Sequence, residues 1–199
     1  MQRIGRMTLI IIALTTLFSQ SLADASEPTD QLKATIDEVV TILRDPSLEG
    51  AEMADQRRAR LRKKMKERFT FAEMAKRSLG KHWREMNSDE REEFTTIFAR
   101  LIENSYIGKI EGYTDEKVLY EKEMLRKRTA IVKTKIITKQ GTDIPLDYRL
   151  INRKGGEWMV YDVVIEGVSL VRNYRTQFSK ALRSSSYEDL VEKLKSKIE

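Results

Sequence analysis

The sequence contains no cysteine and a single histidine, His82, in 199 residues. Without cysteine there can be no disulfide and no thiolate metal site. With one histidine, Ser-His and Cys-His nucleophile pairs are nearly excluded, and His82 has no companion with which to hold a metal. No G-x-S-x-G, P-loop, H-E-x-x-H or G-x-G-x-x-G occurs. Prolines number three. Pro46 stops a helix pattern, and Pro145, which cannot donate a ladder bond, interrupts a strand pattern or holds it at an edge. Past the N-terminal segment no run is long and apolar enough to cross a bilayer. There are no internal repeats and no low-complexity tracts.

What is present begins with that segment. Arg3 and Arg6 form a basic start, Met7 to Phe18 an apolar stretch, and Ser21-Leu22-Ala23 places small residues at both positions a cleavage site needs. The pattern predicts a cleaved secretory signal peptide over 1–23 and a soluble mature chain outside the cytoplasm. The formal net charge of +6 would fall to +4 with the loss of Arg3 and Arg6. The basic residues are spread over many elements and interleaved with glutamates, which argues against a nucleic-acid partner.

From residue 24 the pattern is one domain with a mainly helical part over 24–86 and a mixed part over 87–199. Helices are predicted over 29–44, 52–68 and from Phe71 to Gly80, the last opened by a Thr70/Glu73 capping box. The second is rich in arginine and lysine, which reads as a solvated face or a surface for anionic lipid. Asn87 and Ser88 cap a long helix to about Glu111. Its stripe of Phe94, Ile97, Phe98, Leu101, Ile102, Tyr106 and Ile110 reads as core or as a ligand wall. Strand patterns follow over 117–123, 128–139, 142–153 and 158–165, with tight turns at Gln140-Gly141 and Lys154-Gly155-Gly156. Helices are predicted again over 168–184 and 187–198. The order predicts an α+β fold, an antiparallel curved sheet of about four strands packed with helices.

The chain pivots on 158–178. Trp158, Val160, Asp162 and Val164 share one face at period two, and the alternate residues share the other. Gly167 supplies the freedom to turn. A strand apolar on both faces must be covered on both. Asp162 and Glu166 could serve as an acid/base pair, but the expectation is structural: Asp162 paired with Arg172 or Arg175, locking strand to helix.

The run W-M-V-Y-D-V-V-I-E-G-V-S-L-V-R-N-Y-R over 158–175 resembles the signature of the MlaC, or toluene-tolerance, family of periplasmic phospholipid-binding proteins. Phe69-Thr70-Phe71-Ala72-Glu73-Met74-Ala75, Leu79-Gly80 with Trp83, Phe94, Phe98 and Tyr106 resemble it in the same order. The resemblance implies an NTF2-like cone that encloses an apolar pocket for acyl chains. It implies a periplasmic monomer with phospholipid as cargo, no cofactor, no metal and no catalysis. The implied partners are an outer-membrane lipoprotein–porin complex and an inner-membrane ABC transporter with an MCE-domain subunit. The implied pocket draws Phe94, Phe98, Leu101, Ile102, Tyr106 and Ile110 from the long helix. It takes Ala130, Val132, Leu146 and Tyr148 from two strands, and Trp158, Val160 and Val164 from the last. Val168, Leu170, Val171, Tyr174 and Phe178 complete it, while Asp162, Gly167 and Arg175 hold its frame. A hopanoid or other apolar cargo, a protein-interaction module and an enzyme with Asp162 as base remain as alternatives.

Overall fold

The computed structural model describes residues 28–113 and 116–198. The expected signal peptide over 1–23 lies outside the described residues. Among the described residues six α-helices and five strands follow in the order α1 (Pro28–Leu43), α2 (Ala54–Arg68), α3 (Phe71–Leu79), α4 (Ser88–Glu111), β1 (Lys117–Arg126), β2 (Thr129–Ile137), β3 (Asp143–Asn152), β4 (Trp158–Ile165), β5 (Val168–Ser169), α5 (Leu170–Ala181) and α6 (Tyr187–Lys195), with short 3-10 turns at Pro46–Leu48 and His82–Arg84. The strands form one antiparallel meander in sequence order.

The capping chemistry explains most boundaries. Asn87 and Glu90 close a reciprocal capping box at α4, and Ser186 and Asp189 do the same at α6. Thr70 does not cap α3 as its sequence suggests. Its hydroxyl accepts from Arg153 at 2.9 Å, and its backbone N–H donates to the Val160 carbonyl at 2.9 Å. The residues between α2 and α3 are thereby laid along β4 as a short parallel bridge at Phe69.

A fifth strand appears where the helix was expected to begin. Glu166 and Gly167 both have positive φ, 49° and 82°. That pair of left-handed residues makes a tight hairpin turn, and Val168–Ser169 folds back onto Val164–Ile165. Helix α5 therefore starts at Leu170, with the Ser169 hydroxyl accepting from the Arg172 N–H.

Two bulges shape the sheet. The β1–β2 register skips Glu121, and the β3–β4 register skips Tyr161. A bulge adds twist and exchanges the faces of everything beyond it. Trp158 and Val160 before the skip therefore share a face with Val163 and Ile165 after it, not with Asp162 and Val164. The continuous alternation expected along β4 is broken at its midpoint.

Two apolar clusters result. One is helical: Phe71, Met74, Leu79, Phe94, Phe98 and Phe178 with the inner faces of α3 to α6. The other is the inner sheet face under α1: Leu32, Ala130, Val132, Leu150, Trp158, Val160, Val163 and Leu170. Polar contacts hold α1 and α2 over that face. Gln31 accepts from the Trp158 N–H at 2.9 Å, and Arg68 donates to Gln31, Thr35 and the Trp158 carbonyl. The basic face of α2 is used rather than merely solvated. Arg57 and Arg58 both clamp Glu111 at 3.0 Å, and Arg62 faces buried Glu103 at 3.5 Å. No helix of the described residues is long and apolar enough to cross a membrane.

Candidate functional site: an apolar sheet face

The inner face of the sheet is built by cross-strand partners. Ala130, Val132 and Thr134 on β2 stand opposite Leu150, Tyr148 and Leu146 on β3. Those three stand in turn opposite Val160, Val163 and Ile165 on β4. The wall is deepest at Ala130, Val132, Leu150 and Val160, all at most 1% exposed. It opens toward Tyr120, Leu146, Tyr148 and Ile165, which are half-buried and pack on the cluster together with Ile36 of α1 and Tyr106 of α4. Over 130–134, 146–150 and 160–165 the face can cover a hydrocarbon, since its side chains there are apolar or aromatic except Thr134, whose hydroxyl donates to the Leu146 carbonyl. At its margins stand two polar groups, Glu123 opposite Val132, which accepts from Thr29 of α1, and Asn152 opposite Trp158. The Tyr120 hydroxyl is buried without a hydrogen-bond partner. Burial pushes the phenols of Tyr120 and Tyr148 well above their ordinary range.

The structure gathers part of the expected pocket and not the rest. Ala130, Val132, Leu146, Tyr148, Trp158, Val160, Leu170 and Tyr106 meet on this face. Phe94, Phe98, Leu101, Ile102, Val171, Tyr174 and Phe178 lie in the helical cluster instead. There Phe94 meets Phe178 edge-on at 5.6 Å and Phe98 meets Tyr174 edge-on at 5.2 Å, so these side chains fill one another's space. A helix of α4's length, about 36 Å by its rise per residue, crosses both clusters; only Tyr106 of its stripe touches the sheet cluster as well. Ile110 is half-buried and joins neither cluster.

Val164 lies on the other side of the bulge, opposite Asp147, and Val168 is 57% exposed at the hairpin. Sequence reading missed Leu32, Ile36, Phe69, Tyr120, Leu150, Val163 and Ile165. Leu32, Ile36 and Leu150 carried a periodic signal; Val163 and Ile165 required knowledge of the bulge.

Asp162 is 2% exposed and fully engaged. It accepts from the Ser169 hydroxyl at 2.6 Å, the Val171 N–H at 3.0 Å and Arg149 at 3.1 Å. The expected arginines, Arg172 and Arg175, do not reach it. Arg149 stands directly across the ladder from Asp162, so register supplied a nearer partner than the following helix could. The carboxylate joins β3, β4 and the first turn of α5, where the helix N–H groups favour negative charge. Among the described residues no cluster of histidine, cysteine, aspartate and glutamate could hold a metal ion.

An open antiparallel sheet with helices over its inner face defines an α+β, NTF2-like protein with an apolar wall. The same architecture occurs in a phospholipid-binding protein from Ralstonia solanacearum solved in complex with a phospholipid. The two superpose with a TM-score of 0.76 at 22% identity, covering 87% of this chain and 97% of that one. The chain belongs to the MlaC protein family, whose sequence pattern matches residues 33–196. It is also 28% identical over 120 residues to the intermembrane phospholipid transport system binding protein MlaC of Haemophilus influenzae. That alignment covers 58% of this chain and 56% of the relative, so the match spans just over half of the curated protein's length.

Proposed function

We propose that this protein is a soluble periplasmic phospholipid carrier that holds acyl chains against the inner sheet face. In this reading it moves lipid between an outer-membrane lipoprotein–porin complex and an inner-membrane ABC transporter with an MCE-domain subunit, and works as a monomer without catalysis. The observation that carries the reading is the coincidence of family membership over 33–196 with an apolar wall that stays half-open along Tyr120, Leu146, Tyr148 and Ile165.

The energetics suit a carrier. Each methylene left in water costs about 0.8 kcal/mol, so two acyl chains of roughly fifteen methylenes cost on the order of 20 kcal/mol outside a shelter. A wall of valine, leucine and tyrosine returns most of that. The unpartnered Tyr120 hydroxyl gains an acceptor if a lipid ester oxygen reaches it, which is worth about 1 kcal/mol. Asp162 is committed to Arg149, Ser169 and α5, which supports a frame role rather than a general base.

Native mass spectrometry of the purified protein tests the reading: one phospholipid mass per chain is expected. A chain that stays lipid-free after mild purification and after incubation with phospholipid vesicles counts against it. A second reading, an interaction module whose interior is filled by its own side chains, has one observation in its favour. Ala130, Val132, Leu150 and Val160 are already closed off at the deep end of the wall. The same spectrum separates the two readings.

A further inference from the structure

A cleft of about 500 Å³ opens on the side of β4 that faces away from the apolar wall, between α3, α5 and the turn that carries Trp83. Its cationic lining is Lys76, Arg77, Arg84, Arg149, Arg172 and Arg175. The two carboxylates in it are already engaged: Glu73 with Arg77 at 2.8 Å and Lys76 at 3.6 Å, Asp162 with Arg149 at 3.1 Å. Arg84, Arg172 and Arg175 have no carboxylate partner among the described residues.

The fold holds these groups in place. Gly80 has φ of +62°, and a methyl group there would stand 3.2 Å from Arg175 Nε. Absence of a side chain at the end of α3 thus leaves room for the Arg175 guanidinium. The bulge at Tyr161 turns that ring into the cleft, where the Arg77 guanidinium stacks over it at 4.2 Å from the ring centroid. Trp83 adds a second aromatic surface.

We propose that this cleft is a docking site for an acidic segment of a protein partner. Its volume is many times the roughly 30 Å³ share of a water molecule, far more than a lone inorganic oxyanion fills. Arginine beside tryptophan and tyrosine is the composition enriched where protein chains meet. Arg84, Arg172 and Arg175 are exposed and line a concave cleft beside Trp83 and Tyr161, a shape that a polypeptide with carboxylates can follow more closely than a flat bilayer can. Because the cleft and the apolar wall lie on opposite faces of β4, a partner can dock while cargo remains in place. The inference stands on charge and shape alone and does not require the carrier reading.

The probe is a fluorescein-labelled peptide of glutamates flanking one tryptophan, titrated by anisotropy against the purified full chain. Wild type binds, and more weakly as salt rises. Arg172→Glu/Arg175→Glu loses about tenfold or more in affinity, in line with the loss of close interfacial charge pairs. Lys33→Glu/Lys122→Glu, an equal change of charge at exposed positions on α1 and β1, changes it by less than about twofold. Equal losses in both variants, or no loss in the first, overturn the proposal. So does displacement of the peptide by millimolar inorganic phosphate, which marks an oxyanion site. Vesicles of phosphatidylglycerol that lose binding to Arg172→Glu/Arg175→Glu while the peptide does not overturn it in favour of a lipid surface. Native mass spectrometry of the same variant reads cargo separately: an unchanged lipid complement is expected, and its loss overturns the separation of cleft from cargo. A lipid-free wild type that still binds the peptide leaves the docking site standing while the carrier reading fails.

Discussion

Ile165 and Val164 are adjacent strand residues on opposite faces, the Tyr161 bulge decides which of them meets the apolar wall, and replacing each with aspartate tests where cargo lies. Ile165 stands across from Leu146 on the apolar wall; Val164 stands across from Asp147 on the other face. With an acyl chain against it, Ile165→Asp loses an isoleucine contact worth about 2 kcal/mol. Its new carboxyl must also sit against hydrocarbon as the neutral acid, which at pH 7 costs about 4 kcal/mol from an ordinary aspartate pKa near 3.9. Together these are about 6 kcal/mol, or roughly a ten-thousand-fold loss of lipid affinity. Without lipid the half-buried position lets water reach the carboxylate, so stability falls by only about 1–2 kcal/mol. Val164→Asp behaves oppositely. Lost burial and a like charge facing Asp147 lower stability by about 2–4 kcal/mol, while the folded fraction keeps its lipid. The assay is native mass spectrometry of co-purified lipid beside a thermal melt of each variant. Leu146→Asp, across the ladder from Ile165, should match Ile165→Asp. Lipid retained by Ile165→Asp and lost from a folded Val164→Asp would refute the face assignment and with it the bulge argument.

Three further outcomes rest on other parts of the fold. Asp162→Asn leaves Arg149 without its carboxylate and weakens the first turn of α5. Since the Arg149 side chain is 32% exposed, water recovers part of the loss. A drop of about 2–3 kcal/mol is expected, seen as a melting temperature lower by about 4–12 °C; a change under about 2 °C would remove Asp162 from its role as a lock. Gly80→Ala forces a side chain into φ of +62° against Arg175 and should cost about 1–3 kcal/mol, measured by urea denaturation; a neutral result means the Arg175 contact is not fixed. Burial raises the Glu103 carboxyl above its ordinary value of 4.5, against the opposing pull of Lys66, Arg62 and Arg100. The folded chain then holds that proton more tightly than the unfolded one, so this contribution is full below the ordinary glutamate range and is lost as pH rises through the raised folded value. Glu103→Gln should remove that slope from a plot of melting temperature against pH, and an unchanged slope sinks the assignment.

Much of the fold was readable because local chemistry and periodicity agreed. Asn87 with Glu90 and Ser186 with Asp189 announce their helices, and the strand patterns after residue 117 pair in the order in which they occur. The wall was readable on β2 and β3, where Ala130, Val132, Leu146 and Tyr148 alternate with charged neighbours such as Lys133 and Asp147. On β4 the same reasoning had nothing to grip. Both faces of Trp158–Ile165 are apolar, so inserting Tyr161 as an extra residue leaves the hydrophobic pattern unchanged while reversing every side chain after it. The helical half of the expected pocket failed for another reason. An apolar stripe states that Phe94 and Phe98 are covered, not by what, and here Tyr174 and Phe178 cover them. Long-range charge pairing was equally hidden: nothing local to Arg57 and Arg58 names Glu111 as their shared partner.

The bulge at Glu121 on β1 bears on how the molecule behaves in company. β1 ends the meander on one side, where a row of backbone groups would otherwise invite a strand from another molecule. A kink in mid-strand and the charges of Lys117, Glu121, Lys122 and Arg126 make that margin a poor template for growth. Deleting Glu121 would straighten it, and concentrated solutions of the shortened chain should then scatter light and bind thioflavin where the parent remains clear.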